Sequence, residues 1–210
     1  MIVEQRLYRR FIETALLVAL GHGLLVAPVQ AGLFNGPVDR LPVAERVSLR
    51  QGKVVLTGDN GNYTARVLVD VAPELVWTVL TDYDRFADFL PGVVSSKVLE
   101  TKTDGKIVEQ VSQQQIFLFT IQSRIRYSTR ETGQERIDFQ LIDGDLASME
   151  GFWLLEPVAP YPGAKPNQIL VTHQVRAQPT DGTPRDAFND IYRNVLADTM
   201  AALRDEMNRR

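Results

Sequence analysis

The sequence predicts an α+β fold in which one curved antiparallel sheet wraps around a long C-terminal helix. Three observations support this prediction. Asn60-Gly61 is typical of a type I′ turn and predicts a hairpin early in the chain. Apolar and polar residues alternate within residues 115–129, which indicates a strand with one buried and one solvated face. Residues 184–208 repeat apolar side chains at helical spacing.

The first predicted strands lie on either side of the Asn-Gly turn. They cover Val47 to Thr57 and Tyr63 to Val71, and together they form the expected hairpin. Residues 32–46 have no clear period and contain turn-forming Gly and Pro residues. We therefore expect a linker, or a strap over the surface, across residues 32–46, and one domain across residues 47–210.

Two short helices are predicted after the first hairpin, within residues 72–90. Pro73 suits a first helical turn because the amide that proline lacks is unpaired there. Apolar residues at helical spacing follow it, and a second short apolar turn ends at Pro91-Gly92. A strand is then expected from Val93 to Leu99.

The remaining strands follow from alternation and turn chemistry. They are predicted at residues 106–114, 115–129, 136–141, 145–156 and 169–177. Gly151 interrupts the strand between Met149 and Trp153, which is typical of a bulge or a sharp bend. That bend either lets the sheet curl around a ligand or serves packing alone. Thr183 as N-cap and Pro184 as first helical residue begin the last helix, which ends near Asn208.

Two stretches of the sequence resemble a known superfamily. They are VWTVLTDYDRFADFLPGVVSSKVLE, residues 76–100, and GDLASMEGFWLLEP, residues 144–157. Together they resemble the START-like, or SRPBCC, superfamily, most closely its coenzyme Q-binding and polyketide cyclase-like branch and an exported, cyanobacterial-type member of it. The resemblance implies a helix-grip fold with an apolar cavity between the sheet and the C-terminal helix. It is less informative about function, because one fold hosts many activities.

The candidate ligand residues are mostly aromatic or aliphatic. They share the inward phase of the strands or one side of the last helix, except Phe89, which comes from the bend before Pro91-Gly92. Periodicity alone favours a packed core for these residues, whereas the resemblance implies that they line the cavity. The residues are Phe89, Phe117, Phe119, Ile121, Phe139, Met149, Trp153, Val171, His173, Phe188, Tyr192, Val195 and Thr199.

His173 is the one histidine after residue 31, and it shares a phase with Val171 and Val175. It is interpreted either as a buried histidine whose ring nitrogens have hydrogen-bond partners within the protein or as a hydrogen-bonding partner for a ligand.

Metal binding is not expected, because no second histidine joins His173 and the chain has no cysteine. Asp143-Gly144-Asp145 lacks the other positions of a calcium loop and is interpreted as a hairpin turn. No cofactor is predicted.

Acid–base chemistry has few candidates. Asp82, Asp84 and Asp88 lie close together, but caps and solvated positions around a short helix explain them better than paired catalytic carboxylates. Nucleotide-binding and nucleophile-elbow motifs do not occur in the sequence. The net charge of −3 and the lack of a basic cluster disfavour nucleic-acid binding.

Residues 1–31 are typical of a secretory signal. Arg6, Arg9 and Arg10 precede a short apolar run, and Val29-Gln30-Ala31 matches a signal-peptidase site. We expect cleavage before Gly32 and export to the periplasm or an equivalent lumen. An uncleaved membrane anchor and an amphipathic surface helix are the alternatives.

Three functions from different classes follow. The leading hypothesis is a module that binds, and in a carrier role transports, a quinone, isoprenoid, carotenoid or acyl chain, with transient membrane contact. The alternative is a polyketide cyclase or aromatase that uses the same cavity. The third is an interaction domain without a ligand. The oligomeric state does not follow from the sequence.

Overall fold

The computed structural model describes residues 35–116 and 119–210, so the predicted signal segment lies outside the described residues. The strands are β1 (Val55–Asp59), β2 (Asn62–Val69), β3 (Val93–Lys102), β4 (Gly105–Ile116), β5 (Phe119–Thr132), β6 (Arg136–Gly144), β7 (Leu146–Val158) and β8 (Gln168–Pro179). The helices are α1 (Val43–Arg50), α2 (Pro73–Leu80), α3 (Phe86–Phe89) and α4 (Arg185–Arg209), and a short 3-10 helix, Tyr83–Arg85, precedes α3.

The described strands form one antiparallel sheet in the order β1-β2-β8-β7-β6-β5-β4-β3. After the β1–β2 hairpin, the chain passes through α2 and α3 to the opposite edge and returns strand by strand until β8 pairs with β2. The predicted turn is confirmed: Asn60 and Gly61 have φ of 50° and 80°, the left-handed values of a type I′ turn. The helix-grip fold expected from the resemblance is confirmed.

The inner face of the sheet, which α4 covers, carries the main core. Along α4 the buried residues Leu196, Met200, Leu203 and Met207 recur three or four positions apart and form one stripe. This stripe packs with inward residues of β2 and with α2. α4 begins at Arg185 with Pro184 at the N-cap, one residue later than predicted.

The outer face carries a second apolar cluster beneath residues 38–49. Val38 and Leu49 pack there with Leu68 and Leu170, which alternate along β2 and β8 with residues of the main core.

The prediction of a strand from Val47 to Thr57 is wrong, because residues 43–50 form α1 and β1 begins at Val55. Within α1, Leu49 is buried and Val47 is half-exposed.

Gly151 lies in β7 between Phe139 of β6 and Val175 of β8. A methyl group at Gly151 would collide with the carbonyl oxygen of Gln174 and would come within 2.7 Å of Cζ of Phe139. Glycine is therefore required by the close approach of these neighbours.

Among the described residues, no helix is both long and apolar enough to cross a bilayer.

Candidate functional site

Three rings stack on the inner face of the sheet. His173 of β8 and Trp153 of β7 are direct cross-strand partners, and their ring centroids are 3.9 Å apart. Phe139 of β6 stacks against the same imidazole, with ring centroids 5.4 Å apart. The Phe139 ring reaches β8 because its cross-strand partner is Gly151, which has no side chain to block it. The three rings form one continuous aromatic surface across β6, β7 and β8.

His173 is buried, and its Nδ1 atom has no hydrogen-bond partner among the described residues. Burial lowers the pKa of the imidazole to about 3, and an interaction with the backbone of Phe152 acts in the opposite direction without offsetting it. The ring is therefore neutral near pH 7. A buried polar atom without a partner is uncommon in a folded protein, so a bound molecule is a natural partner for Nδ1.

The N-terminal half of α4 brings a second group of rings. Phe188 and Tyr192 stack with centroids 5.2 Å apart, and Tyr63 of β2 stacks against Tyr192 at 6.0 Å. The Tyr63 hydroxyl donates a hydrogen bond to the carbonyl oxygen of Asn189, at 3.3 Å. Burial raises the pKa of Tyr192 above its usual value, so this phenol stays neutral.

The structure brings most of the predicted ligand residues to the inner face. Phe139, Met149, Val171 and His173 are buried. A further group is half-buried: Phe89, Trp153, Phe188, Tyr192, Val195 and Thr199. Phe89, Trp153, Phe188 and Tyr192 pack against the main core, whereas Val195 is not among the described apolar residues that do so.

Of the remaining predicted ligand residues, Phe117 lies outside the described residues. Phe119 is the first residue of β5, and Ile121 is two residues further along this strand. Ile121 is 52% exposed, so the expectation that it is enclosed is wrong. The physical reason is that β6 starts to pair with β5 at Ile125, four residues further along, and leaves Ile121 without a neighbour on that side.

Tyr63 was not predicted as a site residue, although it is buried and stacks on Tyr192. The alternation along β2 could have identified Tyr63 as an inward residue, because Tyr63, Ala65 and Val67 alternate with polar residues in this strand. The stacking with α4 could not have been predicted, because it depends on where the helix crosses the sheet.

The carboxylates of the bend are engaged in structural contacts. Asp82 pairs with Arg210 at 2.8 Å and thereby ties the end of α4 to the bend after α2. Asp84 accepts a hydrogen bond from the backbone amide of Val98, at 2.7 Å, and Asp88 pairs with Arg85 at 2.9 Å. Asp82 lies at the N-cap position of the 3-10 helix but makes no side-chain capping hydrogen bond, so the expected capping role is not seen there. The contacts instead support structural and surface roles for the aspartates rather than acid–base roles.

The predicted hairpin turn at Asp143-Gly144-Asp145 is only partly confirmed: Asp143 and Gly144 are the last residues of β6 and pair with β5, and Asp145 alone lies between β6 and β7. Asp143 pairs with Arg124 at 2.9 Å, and Asp145 accepts a hydrogen bond from the backbone amide of Arg124 at 2.7 Å. Within the part of the chain that the structure describes, no three His, Cys, Asp or Glu side chains cluster as metal ligands would.

A groove of about 550 Å³ crosses the outer face of the sheet, on the side opposite α4. Its lining includes Asn62, Gln140, Phe152, Gln174 and Arg176, which alternate with the inward residues of their strands. Most of these side chains are polar or charged. The groove therefore differs in face and in chemistry from the apolar cavity that the sequence led us to expect.

Residues 69–204 match the sequence model of a protein family described as polyketide cyclase / dehydrase and lipid transport. No curated protein shows significant similarity to the sequence.

Solved structures share the fold at low sequence identity. A START superfamily protein from Mycobacterium smegmatis has a TM-score of 0.58 and 14% identity, over 70% of this chain and 96% of that one. A STAR-related lipid transfer protein from Xanthomonas axonopodis has a TM-score of 0.55 and 18% identity, over 74% and 98%. The Zhui aromatase/cyclase from Streptomyces sp. R1128 has a TM-score of 0.50 and 20% identity, over 70% and 94%.

Proposed function

The chain belongs to the polyketide cyclase/dehydrase and lipid transport family, and on that basis we propose that it binds a hydrophobic small molecule or lipid between the inner face of the sheet and α4. The observation that carries this proposal is His173. Its imidazole lies within an aromatic surface formed with Trp153 and Phe139, and its Nδ1 atom has no partner among the described residues.

The chemistry of His173 narrows the ligand class. A neutral imidazole donates a hydrogen bond from one ring nitrogen and accepts one at the other. A buried polar atom without a partner costs about 1–3 kcal/mol, and a ligand oxygen placed at Nδ1 would recover part of that cost. We therefore propose an apolar ligand with a hydroxyl or carbonyl group. A charged head group is disfavoured, because the neutral ring has no charge to pair with it.

Among the ligands considered, this chemistry favours an isoprenoid quinone, an oxygenated carotenoid or a fatty alcohol over a pure hydrocarbon. The rings of Trp153, Phe139, Phe188 and Tyr192 would contact the apolar part of the ligand. Such contact contributes about 25 cal/mol for each Å² removed from water, before the costs of ordering. The fold of the lipid transfer protein from Xanthomonas axonopodis is compatible with this role.

An aromatase or cyclase is the alternative function. It would need a group that transfers protons near neutral pH. Burial lowers the pKa of His173 to about 3, which makes the imidazole a weak base, and the aspartates of the bend are held in structural contacts. These observations favour binding over catalysis.

Export is part of the proposal and rests on the sequence of residues 1–31. A lipid-binding domain released from its signal segment would act in the periplasm or an equivalent lumen. N-terminal sequencing of the protein from its own cell should begin at Gly32. A sequence that begins at Met1 or Ile2 would contradict cleavage.

The binding proposal is tested with two ligands that differ by one hydroxyl. An apolar fluorescent dye is bound to the delipidated protein and then displaced by dodecanol or by dodecane. For wild type, we expect dodecanol to displace the dye at about 3- to 10-fold lower concentration, the value of one hydrogen bond. In His173→Phe, which keeps a planar ring without Nδ1, this preference should disappear.

Gln174→Ala is the matched control, because Gln174 follows His173 in β8 and is exposed on the outer face. It should keep the preference for dodecanol. Failure of both molecules to displace the dye would refute the binding function. A preference that persists in His173→Phe would refute the role of His173.

A further inference from the structure

We infer that the inner face of the sheet carries a second polar subsite, at its β3–β5 end, which binds an uncharged hydrogen-bonding group at the far end of the ligand. The polar subsite is formed by Ser96 of β3, Gln110 and Ser112 of β4, and Ser123 of β5. The inference rests on the proposed function and deepens it by naming the ligand class, an apolar chain with a neutral polar group near each end.

The register of the strands places the polar subsite on the inner face. Val98 is the cross-strand partner of Val108, which in turn pairs with Tyr127, and all three belong to the main core or pack against it. Ser96 and Gln110 are also cross-strand partners and lie two residues from Val98 and Val108. Because successive residues of a strand point to opposite sides, Ser96 and Gln110 share the face of these core residues.

Ser96 is the buried end of the polar subsite. It is 5% exposed, and its Oγ atom has no hydrogen-bond partner in the part of the chain that the structure describes. Buried hydroxyl groups nearly always have a partner, so this one is available to a bound molecule. Nδ1 of His173, on β8, is in the same situation. Two buried polar atoms without described partners thus lie on the face proposed to bind the ligand.

The neighbours of Ser96 extend the subsite along β4 and β5. Nε2 of Gln110 donates a hydrogen bond to Oγ of Ser112, at 3.4 Å, and Ser112 is the cross-strand partner of Ser123. These three side chains are half-buried, whereas Ser96 is enclosed. Hydroxyl and carboxamide groups both donate and accept hydrogen bonds, so the subsite can bind a hydroxyl, a carbonyl or an amide.

The polar subsite has no formal charge. The sequence has no charged residue from Gln110 to Ser123. Lys97 and Glu109, the charged residues next to Ser96 and Gln110, are cross-strand partners in the opposite phase and so lie on the outer face. A carboxylate or phosphate bound at the subsite would lose its hydration without gaining a counter-charge. We therefore expect the bound group to be neutral.

The distance between the two polar positions sets the length of the ligand. His173 lies on β8 and Gln110 on β4, four strands away, which corresponds to about 19 Å along the sheet at about 4.8 Å per strand. Phe139 of β6 and Tyr127 of β5 lie between them in the main core. A molecule that reaches both positions is therefore a long apolar chain with polar ends, such as a diol or a hydroxy ketone.

The test uses the dye-displacement assay with α,ω-diols, each compared with the mono-alcohol of the same length. Octanediol is too short to reach both positions and should displace the dye no better than octanol. For wild type, we expect dodecanediol or hexadecanediol to act at about 3- to 10-fold lower concentration than its mono-alcohol, the value of one further hydrogen bond.

Ser96→Ala/Gln110→Met removes polar atoms at nearly constant volume and should abolish the preference for the long diol. Ser95→Ala/Gln113→Met is the matched control, because it makes the same two changes in the same strands on the outer face, and it should keep the preference. Ser96→Ala alone should be at least as stable as wild type in urea, because its hydroxyl has no described partner to lose, and it should weaken the preference.

Three results would each overturn the inference. They are a wild-type protein without the preference for a long diol, a preference that survives in Ser96→Ala/Gln110→Met, and an equal loss in the control.

The comparison of dodecanol with dodecane separates this inference from the proposed function. Ser96→Ala/Gln110→Met should keep the preference for dodecanol, which depends on His173, and loss of that preference would show that the substitutions disturb the whole site and would overturn the separate subsite. A wild type that prefers dodecanol to dodecane, but no long diol to its mono-alcohol, would refute the polar subsite and leave the proposed function in place. Failure of every molecule to displace the dye would refute both.

Discussion

The ring of Phe139 lies over Gly151, so close that a methyl group at Gly151 would come within 2.7 Å of Cζ. This approach lets Phe139 pass the intervening strand and stack on His173 of β8. Gly151 thus links the shape of the sheet to the environment of the imidazole. The sequence had left open whether this glycine serves curvature or ligand binding, and the contact with Phe139 shows a direct packing role.

Gly151→Ala should destabilise the protein by about 1–3 kcal/mol, because the new methyl group collides with Phe139 and with the backbone at Gln174. The measurement is the free energy of unfolding in urea. Ser148→Ala, at an exposed position of the same strand, should change it by less than about 0.5 kcal/mol. Equal stability of the two variants would show that the strand adapts without cost.

Trp153→Ala should cost about 1–2 kcal/mol, since the indole is half-buried and some of its surface already lacks packed neighbours. Ligand uptake should fall, because the ring that stacks on His173 is lost. Trp153→Phe keeps an aromatic ring and should retain most of the stability and most of the ligand uptake of wild type. A loss of about 3–5 kcal/mol in Trp153→Ala would instead identify the indole as close-packed core.

Val195→Trp tests whether there is room beneath α4. Val195 is half-buried, so we expect an unfolding midpoint near that of wild type together with weaker uptake of a fluorescent lipid or quinone analogue. Leu196→Trp is the matched control: Leu196 is 6% exposed within the core, and overpacking there should cost about 1–3 kcal/mol. Strong destabilisation by both would mean that the helix packs tightly on the sheet. Unchanged uptake in a stable Val195→Trp would place the ligand elsewhere.

The buried imidazole of His173 should make stability depend on pH. Its pKa is lowered from 6.5 to about 3 in the folded protein, so between these values the unfolded chain binds a proton that the folded chain does not. The stability from this group is therefore fully present above about pH 6.5 and is lost as the pH falls toward 3, at up to about 1.4 kcal/mol per pH unit.

Urea unfolding between about pH 7 and pH 5 measures this dependence. His173→Phe removes the titrating group, and its stability should decline less steeply than that of wild type, while the carboxylates contribute equally to both. Trp153 and Phe139, which stack on the imidazole, do not titrate. Parallel curves for the two proteins would mean that water reaches His173 in the folded state.

The order of the elements could be predicted from the sequence because the signals for it are local. Asn60-Gly61 determines its turn through the backbone angles that these two residues tolerate. The alternation that includes Phe139 and Trp153 assigns faces of a strand correctly, because successive residues of a strand point to opposite sides. The apolar spacing along the last 25 residues or so predicts α4 within two residues at each end.

The exposure of individual residues could not be predicted in the same way. Ile121 follows the alternation of a buried face, yet it is exposed because β6 ends its pairing before reaching it. Leu49 alternates with Val47 as in a strand, yet it lies on α1, where it packs against Leu68 and Leu170 of the outer face. In both cases the deciding neighbour is distant in the sequence.

The sequence by itself determined most of the elements, α1 excepted, and the phase of most strand residues, since backbone preference and hydrophobic period act over a few residues. Tertiary structure alone decided that His173 stacks with both Trp153 and Phe139 and that its Nδ1 atom has no hydrogen-bond partner among the described residues. The physical reason is that burial and hydrogen bonding depend on which segments of the chain meet. That outcome is set by the length, bending and register of whole strands.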